Sequence, residues 1–440
     1  MLSFILLLFP LALYQNCDAV HFQALTRESC NSFGGSLPTL ESACETYWNC
    51  TALELLKGWK GGFHREMFED FEITQLGHTP LWLRILQGKL YCVQQKIPRN
   101  TRLRLKAYRA LHYIHRINRI LKVSDLPSGT EWWSHYSDWV KIPKDTKFPP
   151  VFSISGANGY LDIAGIPFMS FSDKISKSEE MLLQKRYKIV EPFTKRWSQR
   201  KEIAYFKGAL SDCANAVQNH HGNVNYCARA KVVLEASQTK NILLAGIKTT
   251  SNFTSDGDLN LTNFTACLGC TSKRSVGSDF ASDLLKHKYL IDFPGAGNWS
   301  RRTAVLLRAG GLIFKAESSG HQFYDLGLKP GIHYIPFDPG LGEYGSGNLL
   351  SRLEWARDND QIARSMAQRA ENFGKFCLKE SSIDRFVELL LKLYESRLQG
   401  LMSPKRLIDL STCICGSNAC KFTKLCKEAI QKCWLISSRK

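Results

Sequence analysis

Residues 289–337 read YLIDFPGAGNWSRRTAVLLRAGGLIFKAESSGHQFYDLGLKPGIHYIPF. The apolar run Tyr289 to Phe293 predicts a buried strand. Gly295 and Gly297 then predict a tight turn in which backbone N–H groups can approach a ligand closely. Ser300, Arg301 and Arg302 stand at the expected start of a helix that ends at Gly310-Gly311, and Leu312 to Phe314 supplies a second strand. A helix N-terminus carrying arginines and glycines suits a phosphate. Ser300 stands where G-x-G-x-x-G needs its third glycine, so this is not the dinucleotide fingerprint. The unit reads as a nucleotide or sugar-phosphate site; the alternative is an ordinary glycine-rich β–α turn with solvated arginines.

The chain has 440 residues, 44% hydrophobic and 22% charged, enough to bury two ordinary globular domains. Residues 1–19, MLSFILLLFPLALYQNCDA, predict a secretory signal peptide, although no Lys or Arg precedes the apolar block; a short N-terminal anchor is the alternative. No other segment approaches the ~20 apolar residues of a membrane span. The expected location is the endoplasmic reticulum lumen, another secretory compartment, or the exterior.

Cysteine usage agrees. Of 15 cysteines, Cys17 leaves with the signal peptide, and 15 − 1 = 14 can pair fully. Cys413, Cys415, Cys420, Cys426 and Cys433 crowd the C-terminal tail, where an oxidising lumen favours disulfides over a zinc knuckle. Five is odd, so at least one pairs outside the tail, and Cys377 is a candidate. The CLGC at Cys267–Cys270 has redox spacing but sits in a polar loop, which predicts a structural role. Sequons occur at Asn49, Asn252, Asn260, Asn263 and Asn298. Asn298 lies inside the glycine turn, where a glycan would block the site, so it is expected to be unmodified.

The net charge of +18 would suggest nucleic acid in a cytosolic protein. Behind a signal peptide it suggests a nucleotide-sugar donor, an acidic protein partner or membrane surface charge instead, with much of it simply solvated helix surface, and no nucleic acid is expected.

Along the chain, residues 20–65 are cysteine-rich. A capped helix is expected around His64 to Glu72, a strand at Lys89–Val93 and a long helix from Arg102 to Lys122. Phe148 to Phe171 is strand-rich, and a new apolar start follows at Ile203. Tyr226 to Ala236 and Asp283 to Lys288 read as helical, and Asp358 to Leu398 as two helices. Alternating strands and helices predict an α/β chain with a mainly parallel sheet in each half. The expected organisation is a signal peptide at 1–19, a first α/β domain with a Cys-rich start at 20–200, a second α/β domain at 201–370, C-terminal helices at 371–400 and a Cys-rich tail at 401–440.

Six segments in order carry a resemblance. GGFHREMFED with GKLY resembles a G-G-I-S-R-E-M element; SDWVKIPK, PVFSIS and YLDI resemble R-D-Y-P, P-V-F-S-F-S and D-I blocks. AYFKGALS resembles an F-F-R-G-S strand-turn, the opening stretch a nucleotide loop with S-x-R, and LKPGIHYIPF an L-K-P-W-x-H-Y-I-P-V stretch. From about Gly61 to Leu398 the chain is thus similar to glycosyltransferase family 90, the group that includes the Rumi-type protein O-glucosyltransferases. The resemblance implies a GT-B-like enzyme, two Rossmann-like domains with a cleft between them. It implies inverting transfer of glucose or xylose from UDP-glucose or UDP-xylose to a serine hydroxyl, on an acceptor protein with EGF-like or similar disulfide-rich repeats. No metal is implied, and the UDP-sugar is a co-substrate rather than a cofactor. Inversion needs a general base at the acceptor hydroxyl, and Asp138 matches the family's aspartate. Lys207, Gly208, Ala209, Arg229, Gly297, Asn298, Ser300 and Arg302 match the UDP side, with Ser300-x-Arg302 on S-x-R.

Departures from the pattern are Lys207 for an arginine, which loses the bidentate fork, Ser137 before the aspartate, Val140 and Gly331 for proline and tryptophan, and FMSF at Phe168–Phe171 for W-S-F-W. They bear on donor and acceptor identity, and they keep open a non-catalytic secretory protein of GT-B-like shape with a binding or chaperone-like role. The chain ends SSRK, not a K-D-E-L-like retention signal. A metal-dependent transferase would need D-x-D. Asp256-Gly257-Asp258 fits in a sequon-flanked loop, and Asp358-Asn359-Asp360 reads as a helix-capping run. There is no G-x-S-x-G elbow and no H-E-x-x-H, and His321 and His333, beside aromatics, read as packing residues.

Overall fold

The computed structural model describes residues 40–69, 80–97, 107–136, 149–158, 160, 162–167, 193–209, 228–229, 231–232, 243–248, 280–295, 300–318, 320–340, 347–402, 404–413 and 424–436. In chain order the helices are α1 (Leu40–Leu55), α2 (Ala107–Ile120), α3 (Phe193–Ser198), α4 (Phe280–Lys286), α5 (Arg301–Ala309), α6 (Leu349–Asp358), α7 (Asp360–Asn372), α8 (Glu380–Glu395) and α9 (Lys424–Lys432). The principal strands are β1 (Leu81–Leu86), β2 (Lys89–Val93), β3 (Glu131–Ser134), β4 (Val151–Phe152), β5 (Asp162–Ile163), β6 (Lys201–Ala209), β7 (Leu243–Lys248), β8 (His287–Asp292), β9 (Leu312–Ala316), β10 (Tyr334–Phe337) and β11 (Leu407–Asp409).

The second half of the chain builds a five-stranded sheet in the order β7-β6-β8-β9-β10, with every pairing parallel. Its central strand β8 is buried along its whole length, as a strand covered by helices on both faces must be. The strand order, 2-1-3-4-5 within this half, reverses direction between β6 and β8. In doubly wound sheets a ligand binds at that switch point, beyond the carboxyl ends of the strands.

The first half departs from the expected mainly parallel sheet. Its six strands, β11-β2-β1-β3-β4-β5, are mixed: β11·β2, β2·β1 and β1·β3 are antiparallel, while β3·β4 and β4·β5 are parallel. The reason is local. Leu86 pairs with Lys89, leaving a two-residue loop, and Gln87 and Gly88 both have positive φ, 47° and 70°. Such a loop can only join antiparallel neighbours.

The two ends of the described chain meet. α1 packs on α8, with Trp48 buried against Phe386 and donating to Ser382 Oγ at 2.8 Å. β11, from the expected tail, forms the edge of the first sheet. The disulfides follow this closure: Cys44–Cys377, Cys92–Cys433 and Cys413–Cys426. A tail cysteine does pair outside the tail, but the partner of Cys433 is Cys92 and not Cys377, which α1 and α8 bring to Cys44. Spacing along the chain cannot reveal a pairing made by tertiary contact. CLGC and the sequons at Asn252, Asn260 and Asn263 lie outside the described residues; Asn49 is exposed on α1.

Three element assignments are refined. Among the described residues a 3-10 turn, Arg65–Phe68, stands where a helix from His64 was expected, and Arg65 is tied to Glu131 Oε1 and Gly129 O, both at 2.8 Å. α4 stops at Lys286, so Lys288 belongs to the strand. In the Asp358–Asp360 run, α6 ends and α7 begins; the Asn359 side chain caps the end of α6, its Nδ2 donating to the Trp355 carbonyl at 2.8 Å, but makes no N-cap bond to α7, and Asp360 Oδ1 accepts from Trp197 Nε1 at 2.9 Å and Lys288 Nζ at 2.8 Å.

His333 is a packing residue with a measurable consequence. Its Nδ1 accepts from the Lys329 N–H at 3.0 Å, and burial, reinforced by Arg369 and Lys329, pushes its pKa down to about 3. A histidine depressed in the fold stabilises above the unfolded-state value of ~6.5 and loses that contribution as pH falls toward about 3. His333→Asn, which keeps an acceptor, should flatten the stability–pH slope in that window by up to ~1.4 kcal/mol per pH unit, read by denaturant unfolding at stepped pH.

Candidate functional site

At the switch point the carboxyl ends of β6 and β8 carry Lys207-Gly208-Ala209 and Asp292, and α5 begins after eight intervening residues beyond β8. Ser300 caps α5: its backbone is extended (φ −147°, ψ 128°) and its Oγ accepts from the Arg302 N–H at 3.1 Å. That satisfies one of the orphan donors of the first turn and leaves the others for a ligand. The first turn holds no acidic residue, and Gly310 ends the helix in the left-handed region at φ 68°. The helix end therefore presents positive potential without a competing carboxylate on its own turn.

The Arg302 guanidinium lies over the Phe206 ring, 4.8 Å from its centroid, and beside Gly208. A Cβ at 208 would meet Arg302 Nη2 at 2.5 Å, so glycine is what lets β6 and the arginine approach. The structure thus brings together three of the expected residues, Gly208, Ser300 and Arg302. Lys207 and Ala209 flank Gly208 on β6, paired with Gly246 and Lys248 of β7. Arg229 is almost fully buried and donates from Nη2 to the Pro294 carbonyl at 2.7 Å, bracing the turn between β8 and α5. Gly297, Asn298 and Asp138 lie outside the described residues, as does Asp256-Gly257-Asp258.

Residues the sequence reading passed over line the same place. Thr303 Oγ1 donates to Asp292 Oδ2 at 2.7 Å, and Tyr324 OH donates to the Ser300 carbonyl at 3.4 Å. Asp292 pairs in register with Lys315 on β9, whose Nζ is 3.5 Å from Asp325 Oδ1. Burial raises the Asp292 pKa, opposed by Lys315, Thr303 and Arg302. For Lys315, burial works downward, but Asp325 and Asp292 outweigh it and the net shift is up. The available signal was a charged residue at the end of each apolar strand, LID and LIFK.

The approach to Asp138 is held from the other half. His135 Nε2 hydrogen-bonds Asp162 Oδ1, both side chains fully buried, and the His135 N–H donates to Phe152 O at 2.9 Å. Arg109 Nη1 donates to the Tyr136 carbonyl at 2.9 Å. The matched PVFSIS and YLDI blocks thus meet the end of β3, while SDWVKIPK lies outside the described residues. A short antiparallel ladder then links the halves: Gly320, His321 and Gln322 after β9 pair with Ala157, Gly156 and Ser155 after β4. Among the described residues no group of three His, Cys, Asp or Glu could hold a metal ion, and no helix is long and apolar enough to cross a membrane.

The class defined by this arrangement is an α/β protein with a sheet in each half, GT-B-like, whose second sheet offers an anion-suited helix N-terminus at its switch point. More particularly, residues 40–439 match glycosyl transferase family 90, and the chain belongs to that family. It is 26% identical over 269 residues to the O-glucosyltransferase rumi of Drosophila melanogaster, covering 58% of this chain and 57% of that protein. It is 25% identical over 202 residues to human protein O-glucosyltransferase 1 (46% and 44% covered) and 28% identical over 144 residues to Danio rerio protein O-glucosyltransferase 2 (30% and 27%). The matches thus span less than two thirds of each relative's length. Among solved structures, an Anabaena protein in complex with UDP and glucose aligns over 48% of this chain and 50% of its own, with 11% identity and a TM-score of 0.27.

Proposed function

We propose that the protein is an inverting protein O-glucosyltransferase that uses a UDP-sugar and acts in the secretory pathway. The observation that carries this reading is the Ser300-capped helix N-terminus, with Arg302 laid against Gly208 at the switch point of a family 90 chain. In the proposed reaction a serine hydroxyl of the acceptor attacks the anomeric carbon of the sugar. Asp138 takes the hydroxyl proton as the new glycosidic bond forms, and the bond to the diphosphate breaks with its electron pair leaving on UDP. Free N–H groups of α5 and the Arg302 guanidinium stabilise the charge that builds on the leaving oxygen. Lys207 adds charge at the same end of β6, Arg229 braces the turn through the Pro294 carbonyl, and Gly297 and Asn298 contribute to binding the UDP-sugar. Neither of these charge carriers requires a metal, so transfer is expected to survive chelation. Glucose, with xylose second, is the proposed sugar, and a small disulfide-rich repeat of the EGF-like kind the proposed acceptor. The three disulfides among the described residues fit an oxidising compartment.

The test is UDP release from UDP-glucose and UDP-xylose, with and without a folded EGF-like domain and with and without a chelator. Acceptor-dependent, chelator-resistant release is expected. No release from either donor together with no UDP binding would overturn the enzyme reading in favour of a non-catalytic protein of the same shape.

A further inference from the structure

Behind the N-terminus of α5 lie the buried Asp292 and the partly buried Lys315 and Asp325, charges that the transfer step does not use. Asp292 is 1% exposed; its Oδ2 is held by Thr303, while its Oδ1 has no hydrogen-bond partner among the described residues. The groups facing it are Arg302 and Thr303 from α5, Lys315 from β9 and Asp325 from the turn that follows β9. Two carboxylates and two cations balance while the helix end is bare. A nucleoside diphosphate sugar brings two negative charges to that end and takes a share of Arg302.

We infer that Asp292 takes up a proton from solvent when a nucleoside diphosphate sugar binds at the N-terminus of α5, so that donor affinity and proton binding are linked. The inference rests on the donor-site reading above. In the step an O–H bond forms on Oδ1, the buffer acid loses that proton, and no other bond changes. A buried carboxylate with an unsatisfied oxygen is costly as an anion, and burial already favours its protonated form against the pull of Lys315, Thr303 and Arg302. An added anion beside Arg302 weakens that pull and raises the proton affinity further. Donor affinity therefore rises as pH falls through the window between the Asp292 pKa of the free protein and that of the complex, and is level at its lower value above that window. Asp292 acts here as a positioning residue, through Thr303 and Arg302, without touching the donor.

Titration calorimetry with UDP-glucose tests this, because its diphosphate diester keeps two charges across the neutral range. Heats measured at stepped pH, in two buffers of different ionisation enthalpy, should show uptake of about half to one proton and binding about tenfold tighter at the acid end. Asp292→Asn keeps an acceptor for Thr303. It should abolish the buffer dependence, flatten the pH profile and bind at least as tightly as the wild type at the alkaline end. Equal heats in both buffers for the wild-type protein, or full proton uptake retained in Asp292→Asn, would overturn the inference. Failure of the wild-type protein to bind UDP at all would instead remove the donor site. Should Asp292→Asn not fold, Asp325→Asn serves: it frees Lys315 for Asp292 and should move the linkage to lower pH, and an unmoved linkage counts against the idea.

Discussion

Asp138→Asn should reduce transfer by about three orders of magnitude while leaving UDP affinity within about threefold of wild type. A serine hydroxyl is a poor nucleophile until its proton is accepted, and inversion places that acceptor on the face of the sugar away from the diphosphate. Asparagine keeps the shape of aspartate and cannot take the proton. UDP, by contrast, is to be held from the other half, by α5 and Arg302. The chain leading to Asp138 is anchored independently of its carboxylate, through His135 to Asp162 and through Arg109 to the Tyr136 carbonyl. If the carboxylate serves only as the base, kcat alone should move. Steady-state transfer to an EGF-like domain, with UDP affinity by calorimetry, separates the cases. Equal collapse of binding and transfer would make Asp138 a structural residue.

How much of this was legible in the amino-acid order depends on the length scale of the signal. The β8–turn–α5–β9 unit was readable because each part is local: an apolar run, glycines at the turn, a serine cap and a glycine stop. The antiparallel hairpin of the first half was also written locally, in Leu86-Gln87-Gly88-Lys89, but Gln-Gly is a weaker hairpin signal than Asn-Gly and was passed over for the α/β rhythm. The disulfide partners were out of reach, since Cys44 and Cys377 stand 333 positions apart and meet only because α1 packs on α8. Asp292 and Lys315 were missed for a physical reason: period-based reading assigns a charged residue at a strand end to solvent, whereas here the register sets the two beside each other, Asp292 buried and Lys315 partly so. Arg229 shows the converse. Its charge was visible in the sequence, but the bond from Nη2 to the Pro294 carbonyl, which gives it work in the turn, was not.

Arg302→Ala should weaken UDP binding by about 30- to 100-fold, because charge-assisted bonds to phosphate contribute about 2–3 kcal/mol. Arg302→Lys keeps the charge but loses both the planar fork and the stacking on Phe206, and should recover only part of the loss. The neighbouring glycine supplies an independent handle. Gly208→Ala would place a methyl 2.5 Å from Arg302 Nη2 and 2.9 Å from Phe206 Cζ. The guanidinium is the far end of a flexible side chain and can swing off the ring, so the fold should tolerate the change with a melting shift of a few degrees. The site should not, and UDP affinity should drop about tenfold as the arginine leaves its seat. The combination decides the mechanism. If alanine at 208 acts only by displacing Arg302, the double variant binds UDP no worse than Arg302→Ala alone, and the two effects are strongly non-additive. If the effects add, Gly208 serves the diphosphate directly through its backbone, and the cradle is built from β6 as well as from α5.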